Sequence, residues 1–269
     1  MSDFQALIES NRRLTEVVES KVEEIDQKVD EAVKAIPELH KVFYVDSVSG
    51  VDENVGTTQA SPLKTIREAA NRTAQNGSVT IYLNRNQDHF MTGTENVFVD
   101  VDDKTIVLRP YGSGTDPVIK MTTGIVENKS LMYGFRVGTK ALIAVIGCIV
   151  DTMQLKENAE IAWASYGGFA SRGSGEGQVG NIELVLSQSK VRLRDHQLSA
   201  HYNRVDYCMR NVIIEHVGSF NSLVGREEGI SSTFYVSVSS LTITDGTKTL
   251  SDLFAGISQT NSLTNITLA

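Results

Sequence analysis

Acidic, basic and aromatic side chains are concentrated in a thirteen-residue segment that ends at Tyr207. Glycan cleavage needs two carboxylates across one groove, or an acid–base set that includes His, Tyr or Arg. Because alternate side chains of a strand face opposite sides, Tyr202, Arg204 and Asp206 would share one surface. His201 and Tyr207 would share the other. The pattern predicts a strip that binds a saccharide or a partner, and a solvated face or a contact surface between subunits is the alternative.

Trp163 is a further candidate for stacking on a sugar, with a place in the core or at a subunit interface as the alternative. The remaining histidines, His40, His89 and His216, have no Cys or His at metal-ligand spacing, so we predict no metal site. The glycine-rich stretch 166–180 lacks the Lys-Ser or Lys-Thr pair of a phosphate-binding loop. The sequence therefore predicts no cofactor and names no catalytic residue.

Charge and hydropathy limit the classes of partner. The net charge is −8, and residues 1–40 hold ten acids against five bases. The remainder holds 23 acids against 20 bases. Neither part has the basic excess that a nucleic acid needs, so no nucleic-acid partner is expected. The longest apolar stretch, 141–150, is about half a membrane span, so we expect no membrane insertion. No charged segment followed by an apolar run opens the chain, so we expect no secretory signal and synthesis in a cytoplasm.

The N-terminal segment has the pattern of a coiled coil. Apolar residues recur at alternating steps of four and three, as in a heptad seam. The predicted seam consists of Val18, Val22, Ile25, Val29, Ala32 and Ile36. β-Branched residues at both seam positions favour a trimer over a dimer. We expect the helix to end at Pro37, because proline removes a backbone donor and clashes with the preceding turn.

After Pro37 the composition favours a β-rich body. Short β-branched runs alternate with turn residues and no helices intervene, which excludes a parallel α/β sheet and leaves a sandwich, a barrel or a solenoid. Residues 61–76 are predicted to form a helix with Ser61 as N-cap that covers the end of the body. The solenoid is favoured because apolar runs end at Gly and Asn, although no fixed repeat is visible.

The C-terminal segment reads as a small separate element. Strands are predicted around Val236 and Ile243, followed by a turn at Asp245-Gly246 and a short helix that begins after Thr249 or Ser251 as N-cap. We therefore predict three domains: a trimeric coiled-coil stem over 1–37, a β body over 42–232 with its capping helix at 61–76, and a C-terminal β/helix tip over 233–269.

One part of the chain resembles a known family. The matching residues are Phe43-Tyr44-Val45-Asp46-Ser47, then Gly50, Asp52, Asn54 and Gly56, then Ser61-Pro62-Leu63-Lys64-Thr65-Ile66 and Ala69-Ala70. This stretch of about 35 residues resembles the opening of the right-handed parallel β-helix in bacteriophage tailspikes and related polysaccharide-acting proteins. The preceding coiled-coil stem is similar to that of trimeric phage tail fibres and virion appendages.

The resemblance implies a mainly β protein in which a coiled-coil helix precedes a right-handed parallel β-helix with a capping helix, intertwined as a trimer. A β-sandwich or barrel body is the alternative. The leading functional hypothesis is a non-enzymatic phage tail fibre or appendage, made in the host cytoplasm and located in the virion. Its partners would be other tail proteins and a host cell-surface polysaccharide. The alternatives are a tailspike depolymerase that cleaves capsular or O-antigen polysaccharide, and a bacterial or prophage adhesin module.

Overall fold

The structure is a computed structural model of the chain. It describes residues 2–156, 159–162, 166–173, 180–202, 204–219, 222–226, 232–245 and 248–265. The chain divides into two compact units, residues 1–40 and residues 41–269.

The first unit is a single long helix, α1 (Ser2–Leu39). On its surface Glu24 accepts hydrogen bonds from Lys21 and Lys28 at 2.5 and 2.7 Å. Such pairs, three and four residues apart, support a helix by a few tenths of a kcal/mol each, about 0.2–0.5. The helix ends at Leu39, so the end predicted at Pro37 is two residues too early. The helix continues for two residues beyond Pro37 although the proline nitrogen cannot donate the hydrogen bond to the residue four positions earlier.

The predicted seam of α1 is exposed in the single chain. Four of its side chains are more than half exposed: Val18 at 53%, Val22 at 51%, Ile25 at 57% and Val29 at 53%. The side chains of Ala32 and Ile36 lie outside the described part of the structure. An apolar stripe of this kind has no partner within its own unit among the described residues.

The second unit is built from short strands and two short helices. The helices are α2 (Ile66–Asn71) and α3 (Leu250–Leu253). The strands, in chain order, are β1 (His40–Val45), β2 (Ser78–Asn84), β3 (Asp88–Phe90), β4 (Val99–Asp100), β5 (Lys104–Tyr111), β6 (Val118–Lys120), β7 (Thr122–Val126), β8 (Lys129–Tyr133), β9 (Phe135–Val137), β10 (Lys140–Ile146), β11 (Ile149–Asp151), β12 (Glu160–Ile161), β13 (Ala170–Arg172), β14 (Asn181–Ser187), β15 (Lys190–Leu193), β16 (Ser199–His201), β17 (Arg204–Arg210), β18 (Val212–His216), β19 (Val224–Arg226), β20 (Thr233–Val238), β21 (Leu241–Ile243) and β22 (Ser262–Thr264).

These strands form four sheets. An eight-stranded sheet has the order β1-β2-β5-β10-β14-β17-β20-β22, and its pairs from β2 onward are parallel. A six-stranded sheet, β21-β18-β15-β11-β6-β3, and a five-stranded sheet, β19-β16-β13-β9-β4, are parallel throughout. The fourth sheet, β12-β8-β7, is mixed. Successive strands of the chain thus enter different sheets.

The expected fold is wrong in two respects. The body is a domain of several parallel sheets rather than a single β-helix solenoid, because its described strands divide among four sheets and one of these contains the antiparallel pair β7–β8. The alternative of a sandwich or barrel fails too, since the large sheets pair in parallel and no described sheet closes on itself. The β7–β8 hairpin turns at Glu127 and Asn128, whose φ values of 51° and 63° suit a tight two-residue turn.

The core lies beneath the eight-stranded sheet, and the alternation of its strands supplies it. Parallel register aligns one inward-facing residue per strand into a column of fully or almost fully buried side chains. The column consists of Val79, Ile106, Ile143, Leu184, Tyr207 and Val236. β-Branched and aromatic residues favour this half-buried pleated surface, which is why these segments form strands.

Helix α2 is much shorter than the helix predicted over 61–76. Its N-cap is Thr65, whose side chain accepts a hydrogen bond from the Glu68 backbone, rather than Ser61. The preceding residues pair with β1 instead, because the Leu63 N–H donates to the Tyr44 carbonyl at 2.8 Å. Gly56 makes this packing possible: its φ is 77°, and a Cβ there would lie 2.5 Å from the Leu63 side chain. The residues before Thr65, which the capping pattern assigned to a helix, therefore pair with β1 instead.

The C-terminal segment contains the predicted local elements. Strands β20 and β21 and helix α3 are present, and the N-cap Thr249 forms a capping box with Asp252. Strands β20 and β22 belong to the eight-stranded sheet. The predicted turn at Gly246 and the residues beyond Asn265 lie outside the described residues. The three-domain division stays a prediction.

Candidate functional site

A groove crosses the outer surface of the eight-stranded sheet near the starts of β5, β10, β14 and β17. Its volume is about 440 Å³, and we refer to it as the charged groove. Its charged lining residues are Asp103, Lys104, Lys140, Glu183, Arg204 and Asp206. Two of the residues predicted to bind a saccharide or partner, Arg204 and Asp206, are among them.

Parallel register brings the acids of the charged groove together. Glu183 of β14 pairs with Asp206 of β17, and Asp206 pairs with Tyr235 of β20. Neighbouring strands lie about 4.8 Å apart, so the two carboxylates project from adjacent strands on the same side. Residues 183 and 206 are far apart in the chain, and strand pairing alone makes them neighbours.

Arg204 is the best-anchored cation of the groove. Its Nη2 donates to Asp206 Oδ2 at 2.6 Å, and its guanidinium lies 4.5 Å from the centre of the Tyr235 ring. The hydrogen bond to Asp206 is the main cause that raises the pKa of Arg204, with smaller contributions from Tyr235 and Glu183. A planar guanidinium held between a carboxylate and a ring keeps one orientation, which suits recognition of a polar ligand.

Two charged side chains of the groove point into solvent without an ion pair among the described residues. Glu183 and Lys140 are both exposed, and neither has a hydrogen-bonded side-chain partner in the part of the chain that the structure describes. Lys104 differs, because its Nζ donates to the Ala70 carbonyl at 2.9 Å. Burial lowers the pKa of Lys104, and the acids Asp100 and Asp102 oppose that shift.

The opposite face of β17 carries a sealed polar cluster. Ser199 Oγ lies 2.7 Å from His201 Nε2 and 2.5 Å from the Tyr207 hydroxyl. His201 Nδ1 lies 2.8 Å from the Arg204 carbonyl oxygen. A neutral imidazole that donates from Nδ1 and accepts from the serine hydroxyl satisfies both contacts. A serine beside a histidine is also a nucleophile–base arrangement, but Ser199 and His201 are 0% exposed, so no substrate reaches them.

The pKa values in this region reflect burial. Burial lowers the pKa of His201 to about 4, although its hydrogen bond with the Arg204 carbonyl opposes the shift. His196, which lies 3.1 Å from Ser130 Oγ, also has its pKa lowered to about 4 by burial, against the attraction of Asp195. Burial raises the pKa of Tyr207. Both histidines are therefore neutral at pH 7, and the contact of His201 with the Arg204 carbonyl links β16 to β17.

The structure separates the six residues predicted to bind a saccharide or partner. Arg204 and Asp206 line the charged groove, whereas His201 and Tyr207 are buried behind it. Tyr202 lies under the Arg172 guanidinium, 5.0 Å from it, and does not line the groove. Trp163 lies outside the described residues.

The sequence pattern did not reveal which side chains lie near Arg204 and Asp206 on the sheet. Glu183, Lys140 and Tyr235 join them only through the registers of β10, β14, β17 and β20. Each sits at an outward position of an alternating strand, which is the one signal that the sequence contained. Alternation predicts on which side of the sheet a residue lies, but it does not predict which residues of the adjacent strands lie beside it.

The groove has the groups for binding a polar, uncharged or mixed-charge ligand. It offers the carboxylates of Asp103, Glu183 and Asp206 as acceptors and Arg204 and Lys140 as donors, and the Tyr235 ring lies against Arg204. Within the described residues, no group of three or more His, Cys, Asp or Glu side chains is placed to hold a metal ion. In that same part of the chain, no helix has the length and apolar character needed to span a bilayer.

Comparisons with known proteins add little to this geometry. No protein-family model matches the chain, and none of the curated proteins matches it. Two crystal structures of the GH136 lacto-N-biosidase from Eubacterium ramulus, native and selenomethionine forms, are similar at TM-scores of 0.32 and 0.30, with 15% and 16% identity. Each match covers 83% of this chain and 37% of that enzyme. A likeness this weak carries no conclusion about the activity of this chain.

Proposed function

We propose that this protein is a non-enzymatic, trimeric bacteriophage tail fibre or appendage that binds a cell-surface polysaccharide through the charged groove. The observation that carries the proposal is the exposed seam of α1, in which Val18, Val22, Ile25 and Val29 are each more than half exposed. The virion location and the tail-protein partners rest on the resemblance of residues 43–70 to tailspikes.

The exposed seam supports association of three chains. Isolated helices gain little stability in water without tertiary packing, and a seam of four β-branched residues leaves the first unit without a core of its own. Burying one Val or Ile side chain contributes about 1.5–3 kcal/mol. β-Branched side chains at both seam positions favour three strands over two, so the trimer is the expected state.

The charged groove supports recognition of a saccharide. Sugar hydroxyls donate to carboxylates and accept from guanidinium and ammonium groups, and both kinds of group line the groove. Asp206 is engaged by Arg204 in the chain itself, so binding rather than proton transfer is the role that its geometry favours.

Molar mass in solution tests the stem. Light scattering on the full chain should give three times the chain mass of 29.4 kDa. Val22→Asp should lower the oligomeric state, because it places a charge in the seam. Val17→Asp is the matched control, since Val17 is 58% exposed, lies on the same helix and falls outside the seam. If the wild type is a monomer, or if the two variants have equal molar masses, the prediction of a coiled-coil stem is wrong.

Binding to a panel of purified capsular and O-antigen polysaccharides tests the groove. At least one polysaccharide should bind, and Arg204→Ala should weaken it by about tenfold, as expected for loss of one charged hydrogen-bonding group. Arg210→Ala serves as the control, because Arg210 is exposed on the same strand and lies outside the groove. If no polysaccharide binds, or if both variants bind like the wild type, the groove is not the recognition site.

A depolymerase is the second candidate, because Glu183 and Asp206 project from neighbouring strands. Retaining glycosidases hold two carboxyl groups about 5–5.5 Å apart, close to the spacing of adjacent strands. Release of reducing sugar from a bound polysaccharide, lost in Glu183→Gln, would replace our proposal with this one. Binding without release would support the non-enzymatic protein.

A further inference from the structure

A second and larger cavity lies away from the charged groove, near the first strands of the body. Its volume is about 700 Å³, and we call it the first-strand pocket. Loops that follow β1 and β2 form its walls together with β3 and the residues before β6. Asp88, Phe90 and Asp116 supply its most distinctive side chains, with Ser47, Lys64 and Thr94 around them. The predicted binding residues include none of these.

The walls of the first-strand pocket are held in place by side-chain amides. Gln87 Oε1 accepts hydrogen bonds from both the backbone N–H and the hydroxyl of Ser47 at 3.0 Å, and its Nε2 donates to Asp46. Asn86 Oδ1 accepts from the Thr115 backbone N–H at 2.8 Å, and its Nδ2 donates to the Ser113 carbonyl at 2.9 Å. Both loops are thus fixed before a ligand arrives, which reduces the ordering cost of binding.

The pocket presents an aromatic ring beside ion-paired carboxylates. Phe90 is 39% exposed, and the Lys120 ammonium lies 5.9 Å from the centre of its ring. The same ammonium donates to Asp88 at 2.6 Å, and Arg85 is hydrogen-bonded to Asp116. Each carboxylate has about four lone-pair sites and gives one or two to its cation, so acceptor capacity remains.

These groups fit a sugar better than other small ligands. A saccharide ring can pack its apolar C–H face on an aromatic side chain while its hydroxyls donate to carboxylates. The cavity lies within the range of roughly 300–1,000 Å³ that is typical of small-molecule sites. Two carboxylates disfavour a phosphate-bearing ligand, and the ion pairs at the rim disfavour a wholly apolar one.

We infer that the first-strand pocket binds one or two sugar units, which pack on Phe90 and whose hydroxyls donate hydrogen bonds to Asp88 and Asp116. The inference rests on the proposed function in its ligand class, a surface saccharide, and adds a site separate from the charged groove. A polysaccharide that reaches both sites would bind through two contacts on each chain, which raises avidity without any new contact in the groove.

Saturation-transfer NMR on the full chain tests the pocket. The probes are glucose, galactose, rhamnose, N-acetylglucosamine, N-acetylgalactosamine and glucuronic acid at millimolar concentration. At least one sugar should receive saturation, and Phe90→Ala should weaken its binding by about tenfold. Ile213→Ala is the matched control, because Ile213 is also 39% exposed and lies on β18, outside the pocket.

A second pair of variants separates a binding role of Asp88 from its ion pair. Asp88→Asn should reduce sugar binding several-fold. Asp100→Asn should not, although it also breaks an exposed ion pair, here with Arg136 at 2.6 Å. If no sugar of the panel binds, or if Phe90→Ala and Asp88→Asn bind like their controls, the inference is wrong. If Arg204→Ala loses sugar binding while Phe90→Ala binds like the wild type, the charged groove is the sugar site and the inference about the first-strand pocket is wrong.

Discussion

The two faces of β17 place polar groups in opposite surroundings. On the outer face, Arg204 and Asp206 form an ion pair in a groove, with the Arg204 side chain 49% exposed. On the inner face, Tyr207 is 1% exposed and bonded to Ser199, with its ring 5.1 Å from that of Phe254 in an edge-on contact. One residue step along a strand therefore separates a candidate ligand contact from the core. The position of a polar group along the strand, more than its residue type, therefore decides whether a ligand can reach it.

The largest expected effect is at Tyr207. Replacing this buried ring in Tyr207→Ala should lower the free energy of unfolding by about 3–5 kcal/mol, because it leaves a cavity against Phe254 and removes a partner of Ser199. Tyr235→Ala is the outer-face control. It removes the partly buried ring beneath Arg204 and should cost much less than Tyr207→Ala, about 1 kcal/mol. Urea unfolding measures both, and equal costs would show that the two faces do not differ as described.

The next effect concerns pH, and it tests whether the buried histidines are neutral. His196 and His201 have pKa values of about 4 in the fold and an ordinary value of 6.5 when unfolded. Between these values the unfolded chain binds protons that the folded chain does not. Stability should therefore fall as the pH drops below 6.5, by about 1.4 kcal/mol per pH unit for each histidine, or about 4 kcal/mol in total at pH 5.

Unfolding free energies measured between pH 8 and pH 5 check this slope. Above pH 6.5 the two histidines should contribute no pH dependence, and below about pH 4 their contribution should be complete. The double variant His196→Gln/His201→Gln should show a flatter profile, whatever its absolute stability. A wild-type profile that is level down to pH 5 would contradict the neutral buried state of both rings.

The smallest effect concerns the reactivity of the two cysteines and leaves stability unchanged. Cys208 lies on the outer face of β17 and is exposed, whereas Cys148 is buried. Burial raises the pKa of Cys148 to about 12, so its thiolate is absent at neutral pH. A thiol reagent should react rapidly with one cysteine of the native chain and with both in denaturant. Cys208→Ser should abolish the native reaction, and rapid labelling of Cys148 would show that the interior is open.

Several local features were predictable from the sequence because their patterns are local. The apolar spacing of α1 identified a helix with one seam, and alternation placed Arg204 and Tyr207 on opposite faces of one strand. Thr249 was one of two predicted N-caps, and it caps α3. Each of these depends on contacts within a turn or along one strand.

Other features depended on pairing between distant segments, and the sequence did not predict them. Ser61 and Pro62 carry a helix-start pattern, but the tie between Leu63 and Tyr44 of β1 takes this stretch into an extended conformation. The apolar run 131–137 has the pattern of one strand, but the structure divides it into β8 and β9 at Gly134, where a Cβ would lie 2.2 Å from the Gly168 carbonyl oxygen. These choices follow from close approach of backbones that are many residues apart.

The sequence was sufficient to predict the helix α1 and the two faces of β17, because helical spacing and strand alternation act over a few residues. The tertiary structure alone decided that Glu183 stands beside Asp206 and that Phe90 opens into a cavity with Asp88 and Asp116. Parallel pairing in register places one residue of each strand beside one of the next. The number of residues between two strands does not determine which of their residues become neighbours. The residues that make up a surface site are therefore decided by how the strands pair and the sheets pack.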